Sequence, residues 1–547
     1  MRSSEPYTSE MKKNDLLLIL LIICTAAAAV VTGALKVPSD QEGTFKALFV
    51  SEETYNNSIK DKEKIAFDGT ALRFEGSVVP FEEETDTVYI PQSMDDNDWT
   101  GNLQAAGNGG KVCILADGLT DPKKRQGAIE DGTGYRIAVI FKGSFMEGRV
   151  VFSGLPEVSI QYEDGEIQGK EIHEGRISVL DPYRKEYMSF PCSFHVRGAT
   201  SIIFEKKSYR IELHDAVGNN EDASLLGLRE DDDWILNAVG TDKSLAREKI
   251  CYDLWKKLGL MEEDPVPAPE MEYTELFING EYMGVYGLMY PVDRKLMDMK
   301  PGDLLYKVNT WKEEADAPGR LTDHNGEREI FNQNGTAYVE IEYPGKDSGP
   351  YIWDPLEAYQ DFVFETQDPA TLKGKGITLN TENFILHELF CELTRAGDNT
   401  WKNLFMAAYK NENGGYTLSE TIWDLNYTFG DAFTWDPENG NTVFLPDSTD
   451  LYKLRYDRDY GYTALMIADE GIKAQAAEKW KKWREEGIGP ELIREMFEEE
   501  RVFLIRSGAM RRNEDRWPGS TDPDNSAIYE WLEGRFEYLD SLHGSDH

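Results

Sequence analysis

A run of twenty uncharged residues, Leu16 to Leu35, divides this chain of 547 into two unequal parts that must fold in different surroundings. At about 1.5 Å per residue, a helix of that length crosses the roughly 30 Å hydrocarbon core of a bilayer. Lys12 and Lys13 precede the run and acidic segments follow it. The charge asymmetry therefore puts residues 1–15 in the cytoplasm and the long remainder outside, held by a single-pass membrane anchor. Thr32-Gly33-Ala34 supplies a rival reading, a small-residue cleavage site that would release a secreted protein. The length of the apolar stretch and the polar residues before it favour the uncleaved anchor. No second long apolar run occurs, so everything after the anchor has to build its core in water.

That remainder has the means to do so. Hydrophobic residues make up 40% of the chain and aromatic residues 12%, a load that disordered chains lack. With 100 acidic against 58 basic residues the formal net charge is −42, which repels nucleic acid and argues against a nucleic-acid partner. An anionic substrate needs its own local cluster of Lys and Arg. Cys24, Cys113, Cys192, Cys251 and Cys391 are too dispersed for a disulfide framework or a zinc site. Nothing in the sequence bears on oligomeric state.

Two folding regions follow the anchor. Residues 36–152 carry short β-branched and aromatic runs (ALFV, TVYIP, KVCILA, YRIAVIF, RVVFSG) separated by Gly, Asp and Asn, which predicts a β-rich accessory region, a sandwich being the simplest form. Residues 153–547 mix strands and helices, so the fold class is α+β. LPEVSIQY, RISVL and SYRIEL read as strands, and SLAREKICYDLWKKL as a helix with Gly259 behind it as a stop. YTELFINGEYMGVYGLMY reads as a hairpin turning at Asn279-Gly280. Helices are expected over 381–395, 472–506 and 525–543, and the polar stretch 312–375 reads as a surface insertion.

Asp398 and Asn403 stand five residues apart just after a helix, and Asp424 follows a strand-like run in Trp423-Asp424-Leu425-Asn426. Phosphoryl transfer asks for such a set: a carboxylate beside the attacking hydroxyl, oxygen ligands for a divalent cation, and cations on the phosphates. The Asp-to-Asn spacing is that of a kinase catalytic loop. Lys206, Lys207 and Arg210 flank one strand and Lys307 lies in another, all candidates for the phosphates. Glu248 or Arg247, on the helix, is the candidate partner for the lysine. Isolated, Asp398 and Asp424 would read as a turn cap and a buried hydrogen-bonded carboxylate.

Four segments carry these residues in order: Arg197-Gly198-Ala199-Thr200-Ser201 with KKSYRIEL, LLGLREDDDWILNAVGTDKSLARE, LFINGEYMGVYGLMY, and GDNTWKNLFM leading to IWDLNYTFGD. Over roughly residues 153–543 the chain resembles the CotH family of atypical spore-coat protein kinases. The resemblance implies a divergent protein-kinase-like domain using ATP and Mg²⁺, with Mn²⁺ or Ca²⁺ as substitutes, to phosphorylate a protein acceptor at the cell surface or spore coat. It assigns Asp398 to catalysis, Asn403, Asp424 and Asn426 to the metal, and Arg197, Lys206, Lys207, Arg210, Glu248 and Lys307 to the nucleotide. Asn426 stands where the family commonly has a second acid. Two other readings remain open: a non-catalytic surface scaffold, with Trp353, Trp401 and Trp435 gripping glycans or partner proteins, and a glycosidase using Asp398 and Asp424 as its carboxylate pair.

Overall fold

The computed structural model describes residues 45–544 apart from 96–98, 100, 107–109, 164, 168, 199, 313–326, 333–334, 345–349, 401, 434–441 and 450–459. The expected cytoplasmic stretch 1–15 and anchor 16–35 lie outside the described residues. Among the described residues no helix is long and apolar enough to cross a membrane.

KVCIL and YRIAVI are apolar at consecutive positions rather than alternate ones, the mark of strands covered on both faces. They form the centre of a mixed seven-stranded sheet, in which Ser144–Ser153 pairs parallel with Thr87–Pro91 and antiparallel with Tyr135–Ile140. One face packs on a small sheet through Leu72, Phe74, Val88, Ile90, Ile137 and Val150. The other is covered by the helix Glu52–Ile59, whose Tyr55 meets Cys113, Ala138 and Phe145. The expected sandwich is therefore a three-layer unit with parallel pairs and a helix.

The seven-stranded sheet ends at Ser153, and the strand Glu157–Tyr162 opens a closed barrel of seven strands. The barrel closes where that strand runs parallel to Met271–Ile278. SYRIEL alternates as its period predicts: Tyr209, Ile211 and Leu213 are buried, while Arg210 and Glu212 point away. Asn279 and Gly280 take φ of +47° and +85°, the left-handed pair that a two-residue hairpin turn requires. Outside the barrel lies the helix Arg247–Gly259, which buries Ile250, Leu254 and Leu258. Asp242 accepts from the amides of Ser244 at 2.9 Å and Arg247 at 2.8 Å and so fixes the helix start.

The chain then crosses to a six-stranded sheet ordered Glu327–Asn332, Gly335–Tyr343, Leu304–Lys312, Leu404–Lys410, Tyr416–Ile422, Ile377–Leu379. The helix Thr381–Thr394 packs on it, and Gly471–Glu485, Pro490–Arg506 and Ser526–His543 stack behind that helix and on one another. Much of the stretch 312–375 belongs to this core, correcting its reading as a surface insertion. Val339 and Ile341 are buried while the alternating Glu340 and Glu342 line a cleft, so part of the polarity of this stretch faces an internal surface. Trp353, Leu356 and Phe362 are buried too. Cys113, Cys192, Cys251 and Cys391 are buried.

The accessory unit, barrel and C-terminal helices meet around Glu157, whose two carboxyl oxygens are buried without a hydrogen-bond partner among the described residues. Burial, then Glu275, pushes its pKa well above the ordinary 4.5. The folded chain thus holds a proton that the unfolded chain releases above pH 4.5, and stability falls as pH rises from there toward the folded value. Glu157→Gln should therefore raise the melting temperature at pH 8 and leave it unchanged at pH 4. An equal shift at both values would rule out a protonated Glu157.

Candidate active site

A cleft of about 1320 Å³ lies between the barrel and the six-stranded sheet. It is lined by Arg197, Lys206, Arg210, Glu248, Lys307, Asp398, Asn403, Asp424 and Asn426. Among the described lining residues seven cations face seven carboxylates, against 58 and 100 in the whole chain, so the basic residues are concentrated here.

The floor is made where two elements end. The helix Thr381–Thr394 stops at Arg395, which turns left-handed at φ +58°, and a short turn Gly397–Thr400 presents Asp398. The strand Tyr416–Ile422 ends next to Asp424. Asn399 binds the two ends together, its amide donating to the carbonyls of Asn403 at 2.8 Å and Trp423 at 2.5 Å. Asn403 and Asp424 hold φ of +52° and +60°, conformations that Asn and Asp tolerate better than most residues. Left-handed backbone at non-glycine positions costs about 1–3 kcal/mol each and persists where the surroundings fix it, commonly at functional sites.

Electrostatics links these groups. The Asp398 carboxylate lies 3.1 Å from the Lys402 ammonium. Asp424 touches the solvent of the cleft, yet the enclosing walls hold its carboxyl above the usual range, opposed by Arg197 and Lys402 and reinforced by Asp398. Burial, then the charge of Asp424, raises Glu248 to about 7. The Arg197 guanidinium, 5.4 Å from the centre of the Trp423 ring, is the cation that acts on both carboxyls. Lys402 went unremarked in the sequence, although it stands four residues after Asp398 in the same segment.

Several cations are engaged differently from expectation. Lys206 makes no pair with Glu248: its ammonium donates to the Val285 carbonyl at 2.6 Å and to Asn513 Oδ1 at 2.8 Å, and burial pushes its pKa down to about 7. Glu248 instead accepts from Asn237 at 2.7 Å and Tyr252 at 2.8 Å. Arg247, the other expected partner, donates to the Thr428 carbonyl at 3.0 Å and grips Asp242. Lys207 does not line the cleft; its ammonium donates to the carbonyls of Ile202, at 2.7 Å, and Phe204. Alternation separates the two lysines as the sequence implies, but sends the second into its own turn. Arg210 pairs with Asp233, its Nε 2.9 Å from Oδ1. The Lys307 ammonium sits 5.7 Å from the Phe405 ring and 3.8 Å from Glu342, and burial lowers its pKa.

The cleft also has an apolar portion, lined by Ile235, Val292, Val308 and Phe405, where Pro291–Asp293 leads out of the barrel. Of the tryptophans considered for stacking on sugars, Trp353 is 4% exposed and belongs to the core, while Trp401 and Trp435 lie outside the described residues. An acidic trio away from the floor, Asp222, Asp231 and Asp232, already encloses a cation, the Lys295 ammonium, at 2.6–2.8 Å.

No curated protein matches the chain. The model of the CotH kinase protein family matches residues 194–539, which is more than half of the 547 and includes Arg197, Asp398 and Asp424. The cleft and both halves of the fold that frame it fall mainly within that match, and the chain belongs to the CotH kinase protein family.

Proposed function

We propose that the chain is a divalent-metal-dependent kinase of divergent protein-kinase-like fold, transferring the γ-phosphate of ATP to a protein hydroxyl. The observation that carries this reading is the convergence of Asp398, Asn403 and Asp424 on one cleft in which cations balance carboxylates.

The donor set suits a hard cation. Asp424 offers carboxylate oxygen, and Asn403 and Asn426 offer amide oxygens, the ligand type of Mg²⁺, Mn²⁺ and Ca²⁺. Asn426 commits its Nδ2 to the Thr241 hydroxyl at 2.7 Å, which leaves Oδ1 as the atom available to a metal. A cation held there would supply positive charge against the charge developing on the phosphates. Arg197 supplies positive charge from the barrel side of the cleft and Lys307 from the six-stranded sheet. The apolar portion beside Val292 and Val308 is suited to a flat base. Asp398 orients the acceptor hydroxyl and takes its proton as the hydroxyl oxygen bonds to the γ-phosphorus and the bond to the leaving ADP oxygen breaks. Lys402, 3.1 Å away, holds the Asp398 carboxylate in place.

The charge asymmetry around residues 16–35 supports an anchor at that segment and an acceptor outside the cytoplasm, and the family resemblance supports an acceptor at the cell surface or spore coat. An alternative reading, a kinase-fold scaffold that binds surface proteins or glycans without catalysis, draws on Asn426, which gives a bound metal one negative ligand fewer than an acid would.

The decisive experiment incubates the purified full-length chain with γ-labelled ATP and Mg²⁺, Mn²⁺ or Ca²⁺, beside Asp424→Ala. Label should appear on the chain or a model protein and vanish in the variant, together with metal-dependent nucleotide binding. Absence of transfer and of any nucleotide-dependent rise in melting temperature would overturn the kinase reading in favour of the scaffold.

A further inference from the structure

The chain leaves the barrel strand Asp233–Asn237 and reaches the helix Arg247–Gly259 through a loop held in strained backbone. Val239 and Leu245 take φ of +43° and +61°, the left-handed region that a β-branched residue such as valine adopts least readily. Such strain persists where neighbours fix the chain, and here they fix it at three points. The Val239 amide donates to Asn237 Oδ1 at 3.1 Å, the Asp242 carboxylate accepts from the Ser244 and Arg247 amides, and the Lys243 carbonyl accepts from the Asp522 amide at 2.8 Å. One side chain of this loop crosses from the barrel side to the floor of the cleft. Thr241 Oγ1 accepts from Asn426 Nδ2 at 2.7 Å, and both residues line the cleft.

On the floor, Asp424 and Asn426 line the cleft while Leu425 between them is buried. An aspartate in place of Asn426 could offer oxygen from either end of its carboxylate. A carboxamide cannot: one end is an acceptor oxygen and the other a pair of N–H donors, which a cation repels. Asn426 therefore fits a metal in only one of two orientations, and something has to choose between them. Among the described residues the Thr241 hydroxyl is the hydrogen-bond partner of that amide. We infer that Thr241 is a positioning residue, whose hydroxyl holds Nδ2 of Asn426 and leaves Oδ1 for a metal, so that an amide can do what a carboxylate does unaided. The inference rests on the reading of Asn426 as a metal ligand. It also gives the strained loop a purpose, since a Thr241 free to move would select neither orientation.

Thr241→Val keeps the shape of the side chain and removes the hydroxyl, whereas Thr241→Ser keeps the hydroxyl. Both are compared with Asn426→Asp, and with Thr241→Val in the Asn426→Asp background, by calorimetric binding of Mn²⁺–ATP to the purified full-length chain. Thr241→Val should weaken binding about 10- to 100-fold, the range for loss of a group that orients a metal ligand, and Thr241→Ser should restore most of it. In the Asn426→Asp background the same substitution should change affinity by no more than about threefold, the scatter of independent effects, because either oxygen of the carboxylate serves. Damage to the loop alone would weaken binding in both backgrounds. Unchanged affinity in Thr241→Val, or equal losses in both backgrounds, would overturn the inference and leave the kinase reading in place. Binding by Asn426→Asp but not by the wild type would overturn it as well. If neither binds Mn²⁺–ATP, the kinase reading itself falls and the inference with it.

Discussion

Asp398→Asn should abolish phosphate transfer while sparing nucleotide binding. The substitution keeps the shape and hydrogen-bonding reach of the side chain but removes its capacity to accept a proton. General-base assistance contributes about 10²–10⁴-fold in rate, so kcat should fall by that factor, equivalent to about 3–5 kcal/mol on the barrier. On the proposed mechanism, binding depends on different atoms, those of Asp424, Asn403 and the cations above them. Deleting one negative charge from a cleft proposed to receive phosphates should leave Mn²⁺–ATP affinity unchanged or slightly tighter. The companion variant Asp424→Ala loses both, and the contrast separates the two carboxylates by role. Single-turnover transfer and calorimetry on the same preparation check the pair; transfer by Asp398→Asn within tenfold of wild type would show that another group takes the proton.

That the sequence points to residues which share one cleft has a physical basis. Asp398, Asn403 and Asp424 lie at the ends of a helix and a strand, where local sequence sets the backbone and a polar side chain at a terminus is left facing the cleft. Local pattern also located the hairpin turn at Asn279-Gly280 and the strand Ser208–Leu213. What local pattern cannot supply is the partner of a long side chain. Lys206 is held by Asn513, which is 307 residues away, so no feature of its own segment could reveal that Glu248 would be left to Tyr252. The Glu248–Tyr252 pair itself, at a spacing of four on one helix face, was open to reading, as was Lys402 at the same spacing from Asp398. The strand Gly335–Tyr343 was obscured for another reason: its acidic positions face an internal cleft, and alternation cannot tell a cleft from bulk solvent.

The same long-range logic singles out Arg512 as the residue whose loss should cost the fold most. It stands on the short helix Ala509–Arg516 and grips Glu275 of the barrel through two bonds of 2.8 Å, while also donating to the Ser507 carbonyl at 2.9 Å. Ser153, the last residue of the accessory sheet, lies 3.2 Å from the same guanidinium. Three parts of the molecule therefore meet on one buried cation, with Glu157 beside it. Removing one partner of a buried ion pair leaves an uncompensated charge and costs about 3–5 kcal/mol, whereas replacing both by apolar groups is often close to neutral. Arg512→Ala should lower the unfolding free energy by that amount at pH 7.5, and Arg512→Met with Glu275→Leu should recover most of it. Because Asn513, the next residue, holds both Lys206 and the Val285 amide, the single variant should also loosen the barrel wall of the cleft and speed proteolysis between residues 153 and 157. Urea titration and limited proteolysis read these effects separately. A loss below about 1 kcal/mol, the scale of an exposed pair, would mean that water reaches this junction and that the accessory unit is held to the barrel by its apolar contacts, Tyr89 on Phe277 and Tyr282, instead.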